Sequence, residues 1–197
     1  MARPREFDEE TVVAAARDRF WDAGYAATSL SDLTAATGLG KASLYGAFGD
    51  KRTLYLRVFD DYITGAVQSV KDDLEGDDAG ALDRIRAHLL ANARASAANP
   101  RGCLLARGTA ELAGRDEDVA ARSKQAFQRL SAAYSSAVQA AQRAGDIDPA
   151  ADPRVLGDLL LAIHRGTEAL GRGGAGESAL QGLVEAALAG LPRPRRE

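Results

Sequence analysis

Residues 29–48 read Ser29-Leu30-Ser31-Asp32-Leu33-Thr34-Ala35-Ala36-Thr37-Gly38-Leu39-Gly40-Lys41-Ala42-Ser43-Leu44-Tyr45-Gly46-Ala47-Phe48. The pattern is two short helical stretches parted by glycines. Ser29-Leu30-Ser31-Asp32 is a capping-box variant, with Asp32 reaching back towards the cap. It predicts a helix from about Leu30 to Thr37, ended by Gly38. Gly38-Leu39-Gly40 forms a tight turn, and a second helix runs from Lys41 to Phe48. Helices of about eight residues are not stable alone, so a third must support them. That helix begins at Asp8, a good N-cap, and Phe7 before it staples onto Val12. Val13, Ala16 and Phe20 form one face, and Gly24 stops the helix. Leu44 and Phe48 then face a core shared with Phe20 and Leu33.

Outward from this unit the helical pattern continues. Gly49-Asp50 breaks and recaps, and Lys51 opens a long helix reaching about Leu74. At 1.5 Å per residue it is on the order of 35 Å long. Five further helices are predicted, at about 80–98, 103–113, 116–144, 154–172 and 177–190, between Gly, Pro and Asp clusters. No alternating strand and no repeat interrupts them. The expectation is an all-α chain of about nine helices. The last two carry Val155, Leu159, Leu160 and Ile163, then Leu180, Leu183, Leu188 and Leu191. Apolar stripes on more than one side suggest a homodimer face over about 154–190.

Composition excludes several classes. The chain has 197 residues, 46% apolar and 27% charged, which argues against disorder of the whole. No apolar run approaches the length of a membrane-spanning helix. The N-terminus lacks the apolar stretch of a secretory signal, so a cytoplasmic protein is expected, with no membrane partner. Cys103 is the single cysteine, and His88 and His164 are the two histidines. They lack metal-ligand spacing, so no metal and no cofactor is expected. The net charge of −3 argues against indiscriminate nucleic-acid binding. The distribution says more: residues 24–57 carry four bases and two acids, whereas 59–83 carry one base and eight acids. Partners are expected to differ along the chain.

Two short helices joined by a tight turn and backed by a third form a helix-turn-helix, whose second helix enters the DNA major groove. The stretch from Phe20-Trp21-Asp22-Ala23-Gly24-Tyr25 to Asp50-Lys51-Arg52-Thr53-Leu54-Tyr55 resembles the DNA-binding domain of the TetR family of bacterial repressors. The glycine turn, Ser43-Leu44-Tyr45 with Phe48, and Asp50-Lys51 with Leu54 carry the resemblance. It implies a DNA-binding domain over 6–56, with its motif at about 29–48. A helical effector-binding and dimerisation domain over 57–191 and a disordered tail, 192–197, follow. It further implies a homodimeric repressor on double-stranded operator DNA, released by an unknown small-molecule effector or by modification of a cysteine. Tyr45 and Lys51 would touch phosphates, and Lys41, Ala42 and Gly46 would lie nearest base edges. Ser43 faces the groove or its walls.

Physical chemistry supports part of this assignment. Lys51 is a cation at a helix N-terminus, beside free N–H groups, which suits a phosphate. Thr28 and Ser29 offer hydroxyls and the positive end of a helix to another. Arg3 and Arg5 form an arm able to reach the backbone or minor groove. Two departures stand out. Gly40 sits where a Ser or Thr cap is common, and Gly46 and Ala47 replace bulkier residues. Readout then falls to Lys41, to thymine-methyl contacts from Ala42 or Ala47, and to DNA shape.

The effector is less legible. Cys103 follows Pro100-Arg101-Gly102 and is expected in the first turn of a helix, near Arg101 and Arg107, a setting that favours redox or electrophile chemistry. An inert packing cysteine fits the same sequence. A small apolar ligand held between helices is the other option. Leu89, Asn92, Arg107, Phe127, Leu130, Tyr134 and His164 are its candidate lining. The competing classes are a helical small-molecule-binding protein or enzyme with no DNA role, and an architectural DNA binder. The chain has no phosphate-binding glycine loop and no nucleophile elbow. It also lacks the broadly basic balance of an architectural binder.

Overall fold

The computed structural model describes residues 7–99 and 101–194. Arg3 and Arg5, Pro100 and the end of the 192–197 tail lie outside the described residues. Among those described there are nine helices and no strand. They divide into two compact units.

The first unit comprises residues 7–64 and 104–123. It holds α1 (Glu9–Ala23), α2 (Leu30–Thr37), α3 (Lys41–Phe48), the first part of α4 (Lys51–Leu74), α6 (Leu104–Leu112) and the start of α7 (Glu117–Arg143). Local chemistry sets most boundaries. The Asp8 carboxylate accepts from the N–H groups of Glu10 and Thr11 at 3.2 Å each, capping α1. Ser29 and Asp32 form the full capping box: Asp32 N–H donates to Ser29 Oγ at 3.1 Å, and Ser29 N–H to Asp32 Oδ2 at 2.8 Å. Gly38 ends α2 in the left-handed region, at φ 69°. Asp50 caps α4, accepting from Thr53 N–H at 2.7 Å. Gly40 gives α3 no side-chain cap, as its missing side chain requires.

The core of this unit is aromatic. Phe20, Leu33, Leu44, Tyr55, Val58 and Phe59 are all buried. The Phe20 ring meets Tyr55 edge-on at 5.1 Å, and Tyr55 stacks on Phe59 at 5.6 Å. Such pairs add roughly 0.5–1.5 kcal/mol each beyond simple burial. The Phe7 ring lies 6.4 Å from that of Phe48.

The expected boundary at 56/57 falls inside continuous α4, and α6 with the start of α7 packs in the first unit. Close approach explains this. A Cβ at Gly108 of α6 would collide with the Tyr55 hydroxyl and the Phe59 ring, so only glycine lets α6 lie there. Arg52 then reaches Asp116, with Nε 2.8 Å from Oδ2, and Asp118 at 2.6 Å. Arg122 reaches Asp60 at 2.9 Å.

The second unit comprises residues 65–103 and 124–194. It holds the rest of α4 and α7, with α5 (Ala81–Ala98), α8 (Pro153–Arg172) and α9 (Glu177–Ala189). Asp152 caps α8 ahead of Pro153, an arrangement suited to a first helical turn. Ile85, Leu89, Leu130, Val138, Leu160, Leu180 and Val184 fill the core. Among the described residues, the exposed large apolar side chains are Val155, Leu159 and Leu170, all on α8. No described helix is long and apolar enough to cross a membrane.

Candidate nucleic-acid interface

Helix α3 sorts its residues by face. Leu44 is buried and Phe48 half-buried, anchoring the helix. Lys41, Ala42, Ser43 and Gly46 are exposed, and Tyr45 and Ala47 are half-buried. The Lys41 ammonium lies 6.0 Å from the Tyr45 ring centre, so both occupy one side of the helix. The Lys51 ammonium lies 4.4 Å from the Tyr25 ring centre, which holds its charge near the N-terminus of α4.

The α2 end is more constrained than its sequence suggests. Ser29 is exposed, with Oγ 2.7 Å from both Ser31 Oγ and Asp32 Oδ2. Hydrogen bonds from the Ser29 backbone N–H and hydroxyl, then Arg19, bring the Asp32 carboxyl down to about 2. Thr28, the other expected hydroxyl donor, is buried, and its Oγ1 donates to Gly24 O at 2.6 Å. It tightens the α1–α2 turn and is turned away from solvent. Arg52 sits beside Lys51 in sequence but is committed to its acids. Asp116 first and Asp118 second push its pKa upward.

Two interactions here were invisible to sequence reasoning. The Glu111 carboxylate of α6 accepts from the backbone N–H groups of Tyr25 at 3.0 Å and Ala26 at 2.6 Å. Arg165 Nη1 donates to Cys103 Sγ at 2.9 Å. Each pair is more than sixty residues apart, and no local motif signals either.

The effector candidates do not converge on one place. Asn92, Tyr134 and His164 do meet: Asn92 Nδ2 donates to His164 O at 3.2 Å and to Thr167 Oγ1 at 2.7 Å. Tyr134 Oη lies 2.7 Å from His164 Nδ1. His88 joins them, its Nε2 3.4 Å from His164 Nδ1 and its Nδ1 2.8 Å from Asp73. Burial pushes His164 down to about 4, outweighing the Glu168 carboxylate 3.4 Å from Nε2. The neutral ring accepts the Tyr134 proton at Nδ1 and turns its own N–H towards Glu168. Burial also drives the Tyr134 pKa upward. Leu89 and Leu130 are plain core. Cys103 is buried, one residue before α6, beside Arg165, which also pairs with Glu168 at 2.9 Å. Arg107 belongs to the first unit, against Gly24. Phe127 lines an open groove with Lys124, Ser131 and Leu161, apart from the histidines. No group of three or more potential metal ligands occurs among the described residues.

Sequence comparison places this geometry. The profile described as "Bacterial regulatory proteins, tetR family" matches residues 12–58, and that described as "Tetracyclin repressor-like, C-terminal domain" matches 81–187. The chain belongs to the TetR family. It is a transcriptional regulator of that family and not an enzyme. Among relatives, the HTH-type transcriptional repressor ComR of Escherichia coli is 29% identical over 175 residues, covering 88% of this chain and 83% of ComR. The repressor BdcR of the same species is 36% identical over 75 residues, 38% of each chain. Among solved structures, a cysteine mutant of the TetR-family regulator CifR, complexed with 26-base-pair operator DNA, has a TM-score of 0.81 at 26% identity. That match covers 96% of this chain and all of CifR. Reduced NemR of Escherichia coli, at 18% identity and TM-score 0.81, shares the fold, covering 95% of this chain and 98% of NemR.

Proposed function

We propose that this TetR-family regulator is a homodimeric repressor that reads a palindromic operator through α3. The exposed face of Lys41, Ala42, Ser43 and Gly46, flanked by Tyr45, Ser29 and Lys51, is the observation that carries the reading. Lys51 and Tyr45 hold phosphates, as does Ser29 once its hydroxyl turns from Asp32 to the DNA, while Lys41 and the small α3 residues meet base edges. CifR, similar over nearly the whole chain, is described on operator DNA. The exposed Val155, Leu159 and Leu170 on α8 support the homodimer, since large apolar side chains on one helix face seek a partner. Selection from a random-sequence duplex library tests the claim. A palindrome with half-sites about one helical turn apart is expected. Recovery of no preferred sequence contradicts it.

Release is assigned to Cys103. With Arg165 Nη1 at 2.9 Å from the sulfur, any gain of bulk or charge at Cys103 displaces the guanidinium and disturbs its pairing with Glu168. An effector that favours another arrangement of the second unit lowers operator affinity, and by linkage the operator lowers effector affinity equally. Treatment with a thiol-reactive electrophile should weaken operator binding of the parent but not of Cys103→Ala. Equal response of both moves the effector to a non-covalent ligand near Asn92, Tyr134 and His164.

A further inference from the structure

Glu111 is acidic, yet it sits in the unit that must approach a polyanion. Its position on α6 accounts for this. The α1–α2 turn carries backbone N–H groups that no helix satisfies, and one carboxylate takes two of them. Oε2 accepts from Tyr25 at 3.0 Å and Oε1 from Ala26 at 2.6 Å. Such charge-assisted bonds are about twice as strong as neutral ones. The turn is shaped to admit the carboxylate. Gly24 has φ 87°, and a Cβ there would lie 2.8 Å from Glu111 Oε2. From this point the bonding runs in both directions. The Thr28 hydroxyl closes the turn onto Gly24 O at 2.6 Å, and the next residue is Ser29, the cap of α2. The ring of Tyr25, whose N–H Glu111 holds, carries the Lys51 ammonium at 4.4 Å. One turn earlier on α6, Gly108 fits against Tyr55 and Phe59 and fixes the helix that bears Glu111.

We infer that Glu111 is a positioning residue for DNA binding, holding the α1–α2 turn so that Ser29 and Lys51 keep the spacing of their phosphate contacts. The inference rests on the operator-binding reading above. It has a sign that a bare charge does not share. As an unattached acid near DNA, Glu111 would repel phosphates, and its removal would tighten binding. As a latch, its removal weakens binding.

The test uses the full chain and the duplex that the parent selects from a random library. Affinity is measured against salt for the parent, Glu111→Ala, Glu111→Gln, Ser29→Ala and Lys51→Ala. Glu111→Ala should lose about tenfold in affinity. Its plot of log affinity against log salt should become shallower by about 0.9, one phosphate contact. Glu111→Gln, which keeps one acceptor oxygen, should fall between. Lys51→Ala should cost less in the Glu111→Ala background than in the parent, because both act on one contact. A variant that only loosened the fold would melt earlier yet keep the salt slope. If Glu111→Ala does not fold, Glu111→Gln decides by the same slope. Unchanged or tighter binding by the glutamate variants, with Ser29→Ala and Lys51→Ala both weakened, overturns the latch and leaves the operator reading intact. No loss in Ser29→Ala or Lys51→Ala overturns the phosphate assignment itself.

Discussion

On the proposed reading, Lys51 and Lys41 divide the work of binding between phosphate and base. Lys51 holds a point charge over the Tyr25 ring and has no role in the core. Its replacement by alanine should weaken binding to all duplexes by a similar factor, leaving sequence preference intact. A titration against operator and scrambled DNA separates the two. Lys41→Ala, by contrast, should lose about 1–3 kcal/mol of discrimination at one base pair. Gly46 lies in the exposed middle of α3, where an added Cβ would meet nothing within 4 Å. Gly46→Ala should therefore raise stability by about 0.5–1 kcal/mol, read as a higher melting temperature. Residue identity could be read for these positions, because exposure on a short amphipathic helix follows from spacing. It could not be read for Thr28, whose hydroxyl turns inward to Gly24 O. A Thr before a cap looks the same in sequence whichever way its side chain turns.

At the scale of elements, local signals sufficed wherever the stabilising group was near in sequence. The capping box of Ser29 and Asp32, the left-handed Gly38 and the Asp50 cap set α2, α3 and the start of α4 where the sequence placed them. The membership of α6 was hidden because long-range contacts decide it: Gly108 against Tyr55, Glu111 on the α1–α2 turn, and Asp116 on Arg52. The meeting of α5, α7 and α8 around His164 was hidden for the same reason. That cluster has a pH signature. An unfolded imidazole titrates near 6.5, whereas burial pushes His164 down to about 4. Between these values the unfolded chain binds a proton that the folded chain refuses. Stability therefore falls as pH drops from about 6.5 towards about 4, by on the order of 3 kcal/mol. Thermal melts across that range should show the decline in the parent and a flatter profile in His164→Gln. Equal slopes would remove His164 as its source. Asp32, held down to about 2, keeps its stabilising contribution across that range and loses it only as pH falls from about 3.8 towards about 2, where it protonates and its capping is lost.

Residues 1–57 balance their bases and acids and 58–197 carry the net −3, so the proposed grip on DNA comes from a few placed cations and not from bulk charge. Such a grip is weak for one head, and a second copy multiplies it. The exposed Val155 and Leu159 lie one turn apart on α8. Val155→Asp with Leu159→Asp should leave helix content intact, since neither side chain is core. The pair should convert dimer to monomer in sedimentation and lower operator affinity steeply. The central claim is that two α3 helices read one palindrome together, and stoichiometry on DNA tests it most directly. Sedimentation of the full chain with the selected palindrome and with a single half-site, at low and moderate salt, gives the answer. Two protomers should occupy the palindrome, bound far more tightly than to the half-site and weakening as salt rises. Equal, salt-insensitive binding of one protomer to both duplexes would contradict it.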